Sequence, residues 1–229
     1  MFTPTALLGV ASSVVAVSDW TGHFAELEGR GYFILEDVLT ASQCEKLIQD
    51  FDKRREMGEF QDAGIGSSAE VQEKIRRSEL VWLDHKNPPS AAEPALSLVE
   101  DLRQALNRRF FLGLNDQECF YSVYRPGSYY RRHVDNFKGR NSRIVTFILY
   151  LNQRWERSRG GELRIYWTAD KIPGRPAEKK ADQRLNLQEC FLDVEPLAGR
   201  MVVFYAPELE HEVLPCHADR YCITGWLRR

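Results

Sequence analysis

His133 and Asp135 stand two residues apart, His211 follows much later in the chain, and Arg220 lies nine positions beyond it. Two histidines and one carboxylate form the set that holds non-haem Fe(II) on one face and leaves its other positions open. On a strand, residues two apart point to the same side, so one extended segment would present His133 and Asp135 together. Such a pair is common on protein surfaces. His211, in the segment 210–215 (EHEVLP), sharpens it into a metal-ligand pattern. The positions left open on an octahedral ion would take a bidentate 2-oxo acid and O2. Arg220 offers a permanently charged planar fork that fits a second carboxylate, whereas a lone arginine at a strand start would be a surface charge. Together the four residues describe oxidation chemistry with iron, O2 and 2-oxoglutarate.

The elements that must bring these groups together lie in the second half. Short apolar runs at 119–125, 143–151, 162–167, 191–194, 201–205, 211–214 and 220–227 alternate with turn residues, a pattern that predicts a sandwich or barrel. On the last run Arg220, Cys222, Thr224 and Trp226 share one face. On 143–151 the faces are Ile144, Thr146, Ile148 and Tyr150 against Val145, Phe147 and Leu149. An inward Tyr150 would set its hydroxyl beside Arg220 on a bound carboxylate, a partner that a buried charge requires. Residues 168–188 are charged, contain Pro173 and Pro176 and show no period, which reads as a surface insertion between two strands.

The first half is helix-rich. A helix is expected near 19–28 and a strand over 31–35. The run 42–45 (SQCE) matches a capping box ahead of a helix with Leu47, Ile48 and Phe51 on one face. Residues 58–68 read as a loop and Pro88-Pro89 as a break. Leu98, Leu102, Leu106 and Phe110 form a core stripe, so the helices would brace one sheet from outside. No internal repeat is visible.

With 229 residues, 43% of them hydrophobic, the chain suffices for one sizeable core, and a single domain over 1–229 is expected. The net charge of −2 and the lack of a basic stripe argue against nucleic acid as a partner. Cys44, Cys119, Cys190, Cys216 and Cys222 include no CxxC pair, so free thiols in a reducing cytoplasm fit better than a secreted disulfide framework. Residues 6–17 are mostly apolar but have no Lys or Arg before them, have Asp19 after them, and are too short to span a bilayer. They read as part of an N-terminal arm over 1–18, with secretion as the lesser alternative and no membrane partner.

Segments 75–82 (IRRSELVW), 124–127 (YRPG), 130–136 (YRRHVDN), 150–152 (YLN), 160–165 (GGELRI), 211–213 (HEV) and 220–226 (RYCITGW) together resemble the 2-oxoglutarate- and Fe(II)-dependent oxygenases of the prolyl hydroxylase type, in particular those of hypoxia-inducible factor and their bacterial relatives. The resemblance runs from residue 31 to the C-terminus and is weaker in the helical half. It implies an α+β fold in which a double-stranded β-helix (jelly roll) core at 119–229 is braced by N-terminal helices. It implies His133, Asp135 and His211 as iron ligands, and Arg220 and Tyr150 on the distal carboxylate of 2-oxoglutarate. Tyr124 would lie near the metal-bound end of that co-substrate, and Ile148, Leu163, Val213 and Thr224 would line the pocket. Tyr130, Arg143 and Trp226 would stand at the entrance near the prolyl substrate, with sheet packing an equal reading of Tyr130 and Trp226. Arg76 and Trp82 would belong to a loop that folds over the substrate. There Arg77 and Ser78 replace the Gly-Asp that relatives tend to have, which bears on substrate identity.

The implied activity is hydroxylation of a prolyl residue in a protein, with succinate and CO2 as products. Ascorbate is a candidate reductant and elongation factor Tu a candidate substrate, with a monomer as the favoured state. The alternatives are a hydroxylase of a free amino acid or other small molecule, a cupin-like zinc or manganese enzyme, and a non-catalytic metal-binding sensor module. Arg220 argues against the last two, which need no dicarboxylate anchor.

Overall fold

Among the described residues of the first half, apolar residues recurring at helical spacing build three helices: Thr21–Arg30 (α1), Ala41–Glu56 (α2) and Glu93–Phe110 (α3). The structure, a computed structural model, describes residues 19–62, 77–135, 142–168 and 189–229. The arm at 1–18 and residues 169–188 of the expected insertion lie outside the described residues. α2 starts two residues before the expected box. Thr40, with extended backbone, accepts the Gln43 N–H on its hydroxyl at 3.2 Å, and the Gln43 side chain accepts the Thr40 N–H at 2.8 Å. Ser42 lies inside the helix and cannot serve as its N-cap. In α3 the stripe is core as expected, with Leu98, Leu102 and Leu106 fully buried.

The strands are Tyr32–Leu35 (β1), Gln61–Asp62 (β2), Glu79–Leu83 (β3), Asp116–Tyr124 (β4), Tyr130–His133 (β5), Arg143–Tyr150 (β6), Leu163–Thr168 (β7), Glu189–Val194 (β8), Met201–Tyr205 (β9), His211–Val213 (β10) and Arg220–Arg228 (β11). They form a seven-stranded sheet in the order β1-β9-β6-β11-β4-β3-β2 and a four-stranded sheet in the order β5-β10-β7-β8. Neighbours in both sheets run antiparallel. The architecture is α+β.

The two-residue period decides what each face meets. From β6, Val145, Phe147 and Leu149 join Leu27, Leu47, Phe51, Leu98 and Leu102 of the helices in one apolar cluster. The alternate residues Ile148 and Tyr150 join Leu163, Ile165 and Val213 of the smaller sheet in a second. The larger sheet is thus covered on both sides, which is why β6 reads as an almost continuous apolar run. The helices pack on the outer side of this sheet, and the chemistry-bearing residues lie between the two sheets.

Two expectations change. Trp82 sits on β3, paired with Phe120 of β4, and not on a loop; the central strand supplies backbone partners that turn the segment into sheet. Within 58–68, Gln61–Asp62 is a short strand. None of the five cysteines forms a disulfide. Among the described residues no helix is long and apolar enough to cross a membrane.

Gly225 marks where β11 is squeezed between its neighbours. A Cβ there would lie 2.4 Å from Phe147 Cζ, 2.5 Å from the Glu118 carbonyl and 2.6 Å from Cys119 Cβ. Gly225→Val is expected to lower stability by about 3 kcal/mol, because the clash is with backbone and a packed ring. Urea unfolding measures it, and a midpoint unchanged from wild type would disprove the close packing.

Candidate active site

β5 and β10 pair so that His133 and His211 stand directly opposite one another, with ring centroids 4.3 Å apart. The chain leaves β5 after His133, so Asp135 reaches the histidines from a bend and not from the shared strand face that its spacing suggested. Two bonds hold it there. Its N–H donates to the Ala206 carbonyl at 3.2 Å, and Oδ2 accepts the Thr146 hydroxyl at 2.7 Å. Oδ1 then lies 3.5 Å from His133 Nε2, and Oδ2 lies 3.9 Å from His211 Nε2. One ligand atom from each of the three residues falls within 4.8 Å of the others.

Both histidines are oriented by backbone. The Nδ1 atoms lie 2.7 Å from the Arg131 carbonyl and 3.0 Å from the Leu209 carbonyl. A carbonyl only accepts, so Nδ1 carries the proton and Nε2 keeps its lone pair for a metal. His133 Nε2 is buried with no hydrogen-bond partner among the described residues. Burial and the neighbouring His133 push His211 down to about 4, against the opposing pull of Asp135. Burial would raise Asp135, but the electrostatic pull of the neighbouring His211 and His133 and the bond from the Thr146 hydroxyl outweigh it and hold its carboxyl below the usual carboxylate range. At neutral pH the cluster therefore offers a neutral His211 imidazole and the Asp135 carboxylate, beside the unpartnered Nε2 of His133, a donor set suited to a divalent cation.

The cross-strand register assembles the rest of the pocket. Arg220 faces Tyr124, Thr224 faces Phe120 on one side and Ile148 on the other, Cys222 faces Tyr150, and Trp226 faces Thr146. Arg220 is 1% exposed, and that number matters because a buried guanidinium needs an anion. Its Nη1 donates to Cys222 Sγ at 3.5 Å, while Nε and Nη2 are buried with no hydrogen-bond partner among the described residues. The guanidinium carbon lies 4.9 Å from the Tyr150 ring centre and 5.0 Å from that of Tyr124. The Tyr150 hydroxyl is also buried without a partner, and burial, partly offset by Arg220, pushes it above its ordinary range, so it stays a donor. Two unpartnered donor groups side by side fit a carboxylate group of a ligand.

A pocket with about 380 Å³ of empty space is lined by His133, Asp135 and His211, by Arg220 and Tyr124, by Ile148, Leu163, Val213 and Thr224, and by Phe120, Tyr130 and Trp226. Tyr124 sits beside Arg220 across the β4–β11 register and lines the same pocket as His133, Asp135 and His211. The Tyr130 ring stacks on His133 with centroids 3.6 Å apart. Arg143 stacks over Trp226 at 3.4 Å and pairs with Glu118 at 2.7 Å, outside the lining. Trp82 is half exposed and meets Phe120 edge-on, and Phe120 in turn meets Trp226, so it touches the pocket through one intervening ring. Arg76 lies outside the described residues. Phe120 and Thr146 were not anticipated as site residues. Thr146 carried a signal, a hydroxyl in the middle of the inward face of an apolar strand; Phe120 carried none beyond its alternation.

The chain matches the model of the 2OG-Fe(II) oxygenase superfamily over residues 119–228. A crystal structure of a Pseudomonas putida prolyl-4-hydroxylase is 33% identical, with a TM-score of 0.75, and the match covers 92% of this chain and 99% of that one. A Trichoplax adhaerens prolyl hydroxylase, solved in complex with a peptide fragment of the hypoxia inducible factor oxygen degradation domain, is 25% identical with a TM-score of 0.72, covering 90% and 87% of the two chains. Human Egl nine homolog 1 is 30% identical over 205 residues, which are 86% of this chain and 43% of that protein. The chain spans about half the length of the curated relatives it matches. This protein belongs to the 2OG-Fe(II) oxygenase superfamily, whose cofactors are Fe(II) and 2-oxoglutarate, with O2 as oxidant.

Proposed function

We propose that the protein is an Fe(II)- and 2-oxoglutarate-dependent dioxygenase that hydroxylates a prolyl residue in a protein substrate and releases succinate and CO2. The observation that carries this reading is the buried Arg220 guanidinium, two of its nitrogens unpartnered among the described residues, in the same pocket as the His133, Asp135 and His211 cluster. When bound, the iron and 2-oxoglutarate supply the power to activate O2 and oxidise an unactivated C–H bond.

The chain's own residues hold and orient. His133, Asp135 and His211 bind the metal, with Thr146 fixing the carboxylate and two carbonyls fixing the imidazoles. Arg220 and the Tyr150 hydroxyl take the distal carboxylate, and Tyr124 lies near the metal-bound end of the co-substrate. Ile148, Leu163, Val213 and Thr224 wall the co-substrate and exclude water, which strengthens each charge interaction inside. Tyr130 and Trp226 bound the prolyl site, with Arg143 stacked behind Trp226, and Trp82 belongs to the outer substrate surface. The two facing sheets support a jelly-roll core, and the packing of α1, α2 and α3 on the larger sheet supports one domain that includes them. Cysteines without disulfides support a cytoplasmic protein.

A protein substrate is supported by the peptide held by the 25% identical relative. Elongation factor Tu is the first candidate and ascorbate the candidate reductant. Incubation with Fe(II), 2-oxoglutarate and cell extract, followed by mass spectrometry, should find peptides that have gained one oxygen on proline. Turnover of free proline with no modified peptide would replace this reading by the small-molecule one. Tyr150→Phe is expected to weaken 2-oxoglutarate binding by roughly 10- to 100-fold, the worth of one hydrogen bond to a charged group. Equal affinity by calorimetry would remove Tyr150 from the anchor.

A further inference from the structure

Arg220 rests against a residue that has no side chain. Gly161 lies in the turn between a short 3-10 segment (Arg157–Arg159) and β7, with φ +72°. A Cβ there would stand 3.0 Å from Arg220 Cδ, 2.9 Å from Cys216 Sγ and 3.5 Å from Trp155 Cζ2. The contact falls on the arginine stem at Cδ, and Gly161, Cys216 and Trp155 are not among the residues that line the pocket with Arg220. The turn cannot retreat. Gly161 N–H donates to the Pro215 carbonyl at 3.1 Å, His217 N–H to the Arg159 carbonyl at 2.7 Å, and Trp155 Nε1–H to the Gly160 carbonyl at 3.2 Å. The arginine cannot slide sideways either, because the rings of Tyr124 and Tyr150 and the Cys222 thiol flank its head.

We propose that Gly161 is the positioning residue of the dicarboxylate anchor: its missing side chain lets the Arg220 stem lie against the turn and sets how far the guanidinium reaches into the pocket. This rests on the reading of Arg220 as the 2-oxoglutarate anchor. Any added atom at 161 is passed on as movement of the guanidinium, and a fork that grips a carboxylate through two parallel hydrogen bonds loses alignment with small displacements.

The test is calorimetric titration of 2-oxoglutarate into Mn(II)-loaded protein, with Mn(II) affinity and Tm measured on the same preparations. Gly161→Ala should weaken 2-oxoglutarate binding about tenfold, as expected for a sub-ångström misplacement, and leave Mn(II) affinity unchanged. In turnover, KM for 2-oxoglutarate should rise more than kcat falls. Adding Cys216→Ala should restore part of the affinity by opening space on the sulfur side. Gly113→Ala is the control: its φ is +68° with no heavy atom within 4 Å of the added Cβ, so it carries backbone strain without touching Arg220. It should lose stability and keep 2-oxoglutarate affinity. Should Gly161→Ala not fold, Cys216→Met crowds the same gap from a residue of ordinary φ and should give the same loss. Wild-type affinity in the folded variant, or equal weakening in Gly113→Ala, overturns the proposal. A wild-type protein that does not bind 2-oxoglutarate with Mn(II) present overturns the functional reading instead.

Discussion

His211→Ala is expected to abolish turnover and to weaken Fe(II) binding by more than about 100-fold, since loss of an outer-shell partner alone typically weakens a metal site 10–100-fold. His211 is buried opposite His133, and its Nε2 is one of the three ligand atoms. Without it the Asp135 carboxylate keeps a single imidazole, and two ligands cannot hold the ion against water. His133→Ala should behave in the same way. Metal content after dialysis and succinate formation are the measurements. Full metal occupancy with normal turnover in either variant would remove the residue from the ligand set. Circular dichroism and Tm distinguish this from unfolding.

Arg220→Ala should separate the two halves of the site. Truncating one partner of a buried, hydrogen-bonded charge pair costs about 2–5 kcal/mol, so 2-oxoglutarate affinity should fall by roughly 100-fold or more. Fe(II) or Mn(II) affinity should stay near wild type, because the guanidinium touches no ligand residue. Its contacts are Cys222 and the rings of Tyr124 and Tyr150. A second consequence concerns stability. In the ligand-free protein Arg220 is a buried cation with two unpartnered nitrogens, a destabilising arrangement, and its replacement by a packed apolar residue is neutral or stabilising. Arg220→Met should therefore match or exceed the wild-type Tm without co-substrate and lose the Tm rise that 2-oxoglutarate gives the wild type. Decarboxylation of 2-oxoglutarate by Arg220→Ala at wild-type rates and low co-substrate concentration would reject the anchor.

Much of the site is legible from alternation alone. The shared face of Arg220, Thr224 and Trp226, and the inward Ile148 and Tyr150, follow from a period of two that each strand obeys locally. The helix stripe Leu98, Leu102 and Leu106 is equally local. Reading by spacing failed where the chain is not regular. Asp135 was placed on a strand face because it stands two residues from His133, yet the strand has ended there, and a hydroxyl from β6 and a carbonyl at Ala206 position the carboxylate. The capping box was set at Ser42 because Ser and Glu stand three apart, whereas Thr40 and Gln43 make the reciprocal bonds. Trp82 was assigned to a loop because β3 shows itself only once β4 is beside it.

Residue chemistry was thus decided by the sequence. Two histidines, a carboxylate, an arginine and the faces that carry them are properties of residue type and local period. Which atoms meet was decided by the tertiary structure. The opposition of His133 and His211, the burial of Arg220 between two tyrosine rings and the bare backbone of Gly161 behind it all depend on register between segments far apart in the chain. Register is set by the packing of whole faces, and no local window contains that information.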